Sequence, residues 1–161
     1  MYNEENLKSA YHHFNQAYEF QKSGDFSNAI QNYRVSISKF PTVEAYINLG
    51  MVLSKEGKYK EAIEECYAVL RINKNEYSAY NYIGYYLIKL KRYEEAKVWL
   101  DTALQFKENK SKHSTYFNLG IIYEKRGDWY KAIKMFNKSF KLKPNFSKAK
   151  TNLLLLTARL N

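Results

Sequence analysis

The backbone-special residues of this chain all fall on one frame that recurs at intervals of about 34 residues. Gly24, Gly57 and Gly127 open the segments Gly-Asp-Phe-Ser-Asn-Ala, Gly-Lys-Tyr-Lys-Glu-Ala and Gly-Asp-Trp-Tyr-Lys-Ala. Gly50, Gly84 and Gly120 each follow an aliphatic residue in Tyr-x-x-Leu/Ile-Gly. Pro41 and Pro144 each stand 12 residues after the frame's alanine (41 − 29 and 144 − 132). With all six glycines and both prolines so placed, none is left for a phosphate-cradling loop or a strained catalytic turn. The frame predicts a surface that grips a partner, not a pocket that transforms a substrate.

The markers Ala29, Ala62, Ala96 and Ala132 are spaced by 33, 34 and 36 residues (62 − 29, 96 − 62, 132 − 96). Upstream of each lies a second signature: His13-x-x-Gln16-Ala17-x-x-Phe20, Tyr46-x-x-Leu49-Gly50-x-x-Leu53, Tyr80-x-x-Ile83-Gly84-x-x-Leu87 and Tyr116-x-x-Leu119-Gly120-x-x-Tyr123. Four residues after each alanine comes Tyr33, Cys66, Leu100 or Phe136. Over roughly residues 10–146 the chain resembles the tetratricopeptide repeat, a helix–turn–helix unit with aromatic, Leu-Gly, Ala and Pro at fixed offsets. The resemblance implies an all-α solenoid, a right-handed superhelix of four helix pairs in one domain. The repeats are expected at about 10–42, 43–76, 77–110 and 113–146, with a capping helix at about 146–160.

Periodicity leads to the same helix pairs independently. In the second unit Tyr46, Leu49, Gly50 and Leu53, then Tyr59, Ala62, Ile63, Cys66, Val69 and Leu70, recur at the steps of two amphipathic helices. The break falls at Lys55-Glu56-Gly57-Lys58, where glycine can end a helix in the left-handed conformation. Gly50 and Ala62 are small where the two helices cross. Three departures stand out. The first copy has Gln16-Ala17 in place of Leu-Gly, and the third has Lys91 at the turn glycine and Glu108 in place of the closing proline. The link Glu108–His113 is two residues longer than standard (36 − 34) and is expected to be an exposed, mobile joint.

Composition bounds the remaining choices. A hydrophobic content of 45% with 17% aromatics argues for a folded core. The start, Met-Tyr-Asn-Glu-Glu, lacks the features of a signal peptide, no apolar run is long enough to span a membrane, and Cys66 is the only cysteine. These suggest a cytoplasmic protein. The net charge of +10 is uneven: −1 over residues 1–50 (4 basic, 5 acidic), +2 over 51–110 (11 and 9) and +9 over 111–161 (11 and 2).

The resemblance implies that the first helices line a concave groove, with positions 2, 6, 9 and 13 of each repeat on one face. Position 6 gives Asn15, Asn48, Tyr82, Asn118 and, in the cap, Asn152. An amide both donates and accepts, so such a row can hold the backbone of an extended peptide whatever its sequence. Position 9 gives Tyr18, Met51, Tyr85, Ile121 and Leu155, apolar side chains suited to a partner's side chains. Position 13 gives Lys22, Lys55, Lys89, Lys125 and Arg159, cations that suit the end of a helix dipole and would attract acidic flanks. The carboxylate clamp of some family members is not matched. Starting at the first repeat its five positions hold Phe14, Tyr18, Asn48, Ser78 and Tyr82; starting at the third they hold Asn81, Tyr85, Asn118, Lys148 and Asn152.

Chemistry is disfavoured. His12 and His13 are adjacent and lack metal-pair spacing, His113 falls in the link, and Cys66 sits at a packing position. The expectation is therefore a non-enzymatic adaptor without a cofactor, metal or small-molecule substrate, binding a protein or peptide with an acidic character. The apolar run Leu153–Leu156 with Leu160 raises a self-assembling scaffold as the alternative. The stripe Lys131, Lys134, Lys138 and Lys141 raises anion or nucleic-acid binding, but only five of the 26 basic residues are arginine, which favours a solubilising face.

Overall fold

The computed structural model describes residues 4–160, and every regular element among them is an α-helix. In order these are α1 (Glu4–Ser23), α2 (Phe26–Lys39), α3 (Val43–Lys55), α4 (Tyr59–Ile72), α5 (Tyr77–Lys89), α6 (Tyr93–Gln105), α7 (Lys112–Lys125), α8 (Trp129–Leu142) and α9 (Ser147–Leu160). Two compact units divide the chain within α5, one running through Ala79 and the other from Tyr80. In the first, α1 packs on α2, α2 on α3 and α3 on α4; in the second, α6 packs on α7, α7 on α8 and α8 on α9. None of the described helices is long and apolar enough to cross a membrane.

Each helix pair is turned by the same device. Gly24, Gly57 and Gly127 have φ of +82°, +73° and +76°. At each, the glycine N–H donates three residues back and the next N–H five residues back, as in Gly127 to Glu124 at 3.0 Å and Asp128 to Tyr123 at 2.9 Å. This is the double closure that satisfies a helix's orphan carbonyls. The third pair closes identically, Lys91 to Ile88 and Arg92 to Leu87, both at 2.9 Å, so Lys91 is forced to φ +61°. A side chain there costs about 1–2 kcal/mol relative to glycine. Asp25 and Asp128 then start α2 and α8, each accepting an N–H three residues on, whereas Lys58 and Arg92 make no side-chain cap.

The pairs close on glycine. A Cβ on Gly84 would lie 2.5 Å from Cγ of Leu100, and one on Gly120 would lie 2.5 Å from the Phe136 ring. Leu100 and Phe136 are fully buried, as are the marker alanines Ala96 and Ala132. The space vacated by glycine is thus filled by the residue four places after the alanine. Between pairs, a different face is buried: Ala45, Leu49 and Val52 on α3, Thr115, Leu119 and Ile122 on α7, and Ala149 and Leu156 on α9. The equivalent positions of α1 are His12, Gln16 and Glu19, all exposed. That explains Gln16 in the first copy: this side of α1 is polar and needs no apolar neighbour. Ser36 and Ser139 add one buried hydrogen bond per terminal pair, donating to the carbonyls of Ala10 at 2.8 Å and His113 at 2.7 Å.

The long link between α6 and α7 is exposed at Glu108 and Lys110, as expected, but it is tied down between them. Asn109 is buried; its Nδ2 donates to the Ala103 carbonyl at 2.7 Å and its Oδ1 accepts from Ser111 N at 2.8 Å. One side chain therefore replaces the missing proline by fastening the link to the end of α6. His113 lies not in that link but in the first turn of α7, its ring edge-on to Phe146 at 5.4 Å. Burial, and secondarily the charge of Lys143, hold its pKa below the ordinary histidine value.

Two glycine-related substitutions have opposite expected outcomes in thermal melts. Lys91→Gly relieves the left-handed side chain and raises the midpoint by roughly 2–4 °C, the shift that about 1 kcal/mol gives in a domain of this size. Gly120→Ala lowers stability. The gain of about 1 kcal/mol in helix propensity is outweighed because the buried Phe136 ring has nowhere to move. His113 adds a pH dependence. Its folded pKa lies below the unfolded value, so its contribution is present above about 6.5 and is lost as the pH falls through that value toward the folded pKa. Melting temperature should drop between pH 7 and pH 5.5, and His113→Phe should flatten that slope.

Candidate functional site

The first helix of each pair turns one face away from its partner, and the expected binding residues lie on these faces. The amide row is not uniform in depth. Asn15 is exposed and Asn48 and Asn152 are half-buried, while Asn118 is 8% exposed. Asn48 donates its Nδ2 to the Glu44 carbonyl of its own helix at 3.0 Å, leaving its oxygen as acceptor. Asn118 makes no hydrogen bond through its side chain among the described residues. Its amide atoms are not shut off from solvent, so water can pair with them in the free protein. At the sixth position of α5 the amide is replaced by Tyr82, which stacks on Tyr86 at 6.0 Å.

One turn along, Tyr18 is 46% exposed, Met51, Tyr85 and Ile121 are half-buried, and Leu155 is exposed. Tyr85 meets Tyr86 edge-on at 5.5 Å and carries the Lys89 ammonium over its ring at 5.4 Å. Ile121 is turned partly inward, packing against the core cluster of Ala132, Phe136 and Leu156. The cation row divides. Lys22 lies 3.2 Å from Glu19 and over the Tyr18 ring, and Arg159 lies over Trp129 at 4.7 Å. Lys55 and Lys125 are exposed and make no ion pair among the described residues.

Two features escaped the periodic reading. The Asn81 oxygen on α5 is shut off from solvent without a donor. A cavity of about 130 Å³ opens on the first unit, lined by Leu7, Tyr11, Phe14, Phe40 and Glu44 among others. Residue spacing signals neither, because both depend on how deep a side chain sits against neighbours distant in sequence. On the lysine stripe of α8, Lys131 pairs with Asp128 at 2.8 Å and Lys138 covers the Tyr116 ring at 5.0 Å, so half of it is engaged locally.

The reactive residue types are placed for structure. Cys66 is 1% exposed, and burial pushes its thiol up to about 12. The adjacent His12 and His13 rings nonetheless meet edge-on at 5.5 Å, and His13 Nδ1 pairs with Asn32 Oδ1 at 3.1 Å. No three His, Cys, Asp or Glu side chains converge as metal ligands among the described residues.

Family models described as tetratricopeptide repeat match residues 43–76 and 75–145. Among curated proteins, BBSome complex member BBS4 of Bos taurus is 31% identical over 104 residues, covering 65% of this chain and 20% of that protein. The chain spans about a fifth of the length of the curated relatives it matches. Among solved structures, PilF of Pseudomonas aeruginosa superposes with a TM-score of 0.84 at 22% identity, over 97% of this chain and 71% of that one. YrrB, described as a TPR protein with an unusual peptide-binding site, superposes with a TM-score of 0.69 at 23% identity, over 97% of this chain and 80% of that one. These likenesses give the fold, an all-α solenoid of helix pairs.

The state of Cys66 is directly measurable. In the folded protein it should resist alkylation at mildly alkaline pH and react only on unfolding, because the thiolate is the nucleophile and neither thiolate nor access is available. Labelling of the native protein at the rate of a free thiol would refute the buried assignment.

Proposed function

The chain belongs to the tetratricopeptide repeat family, and we propose that it is a non-enzymatic interaction module that holds a peptide segment of a partner protein on its first-helix faces. Proteins of this family bind protein or peptide partners, and YrrB, which shares the fold, is described as having a peptide-binding site. The observation that carries the reading is Asn118, an amide that meets no protein partner yet is not shut off from solvent, so that its donors and acceptor can pair with a partner's backbone. Asn152 offers the same chemistry on α9 of the second unit, and Asn15 and Asn48 offer it on α1 and α3 of the first. Tyr18, Met51, Tyr82, Tyr85 and the outer part of Ile121 contact the peptide's side chains. Lys55, Lys89 and Lys125 favour carboxylates flanking the bound segment, which makes the partner acidic.

Substitution along this row supplies the test. Asn118→Ala removes an amide with no partner in the protein, so alone or combined with Asn48→Ala it should leave the melting temperature nearly unchanged. The same double variant should fail to enrich the acidic, apolar-containing peptides that the unaltered protein selects from a random-peptide display library. Equal enrichment by both proteins would rule out the amide row as the grip.

A further inference from the structure

We propose that copies of this chain associate head to tail, the outer leucine face of α9 in one copy docking on the apolar stripe of α1 in the next. The inference goes beyond the peptide-binding reading and does not rest on the amide row.

Helix α9 is apolar on two sides. Ala149, Leu153 and Leu156 face α8 and the core. At 100° per residue, Leu154 and Leu155 lie on the far side together with Thr151 and Ala158, and they are 59% and 65% exposed. Leu154 stands where α3, α5 and α7 carry Gly50, Gly84 and Gly120. A helix packed there as α8 packs on α7 would collide with it, so this face is not shaped for another helix of the repeat. A second apolar stripe on a helix whose first stripe already faces the core calls for a second partner.

The complementary surface is on α1. Leu7, Tyr11 and Phe14 share one face at steps of four and three, with Leu7 49% and Tyr11 68% exposed. They border the 130 Å³ cavity. Such a space holds several waters, each taking about 30 Å³ of liquid, yet its lining is mainly hydrocarbon and suits an aliphatic side chain.

Charge selects this pairing over the others. The leucines of α9 are flanked by Lys148, Lys150 and Arg159, within a segment of net charge +9, so two α9 faces repel each other. The stripe on α1 belongs to a segment of net charge −1 and has Glu44 at the cavity. The opposite side of α1, with His12, Gln16 and Glu19 exposed, is too polar to continue another copy's helix stack. The contact is therefore heterologous, and a heterologous contact that does not close gives open chains.

Sedimentation velocity across a concentration series tests the proposal. The unaltered chain should grow with concentration, and less so at high salt. Leu154→Ser with Leu155→Ser, and separately Leu7→Ser with Tyr11→Ser, should each weaken association by at least about tenfold. Mixed together, these two variants should form a one-to-one complex and nothing larger, since each keeps one intact half of the contact. The pair Asn48→Ala and Asn118→Ala should assemble like the unaltered chain, which separates this contact from the peptide grip. If a leucine variant loses its helical circular dichroism, Lys148→Glu with Lys150→Glu carries the same expectation through charge alone. An unaltered chain that stays monomeric, a folded leucine variant that assembles normally, or a mixture that remains two monomers would each overturn the proposal.

Discussion

The structure depends on how closely two helices of a pair can approach. At Gly84 and Gly120 the gap between helices holds a Leu100 or Phe136 side chain where a Cβ would otherwise be. Burying such a side chain contributes about 1.5–3 kcal/mol, and the glycine makes that burial available at a cost of about 1 kcal/mol in helix propensity. The balance favours the close crossing. It also sets the pair's angle, and through it the outward direction of every first-helix face. The binding residues proposed on α5 and α7 owe their positions to a contact on the opposite side of their own helix.

The same geometry accounts for the uneven amides. Residues at one repeat position share a direction, but their depth follows the neighbours. Asn15 lies on α1 near the exposed His12, Gln16 and Glu19, and is itself exposed. Asn118 lies on α7 among the buried Thr115, Leu119 and Ile122, and is nearly buried itself. A periodic row in sequence is thus a graded row in depth.

Much of the architecture was legible in residue order because the special residues carry it. The turn glycines appear with positive φ where the frame puts them, and Lys91, the one irregular turn residue, adopts the same backbone at a cost. The small residues mark the crossings, and the apolar steps mark the helices. What spacing alone did not reveal lay in side-chain depth and pairing. The Lys89 ammonium rests on Tyr85, and Ile121 divides itself between surface and core. The link after α6 is fastened, because one asparagine can meet both a carbonyl and an N–H that a proline could not. The ring contact and the fastened link are short-range pairings that the repeat frame does not specify, whereas the depth of Ile121 depends on Ala132, Phe136 and Leu156 farther along the chain.

That fastened link bears on how such arrays tolerate change. Two additional residues between α6 and α7 are taken up without disturbing the helix pairs on either side, since α7 and α8 still close through Gly120 and Phe136. Lengthening a connection costs little entropy, provided that some side chain satisfies the backbone it exposes. The seams between pairs are accordingly where a lineage can gain or lose residues while the interiors keep their register.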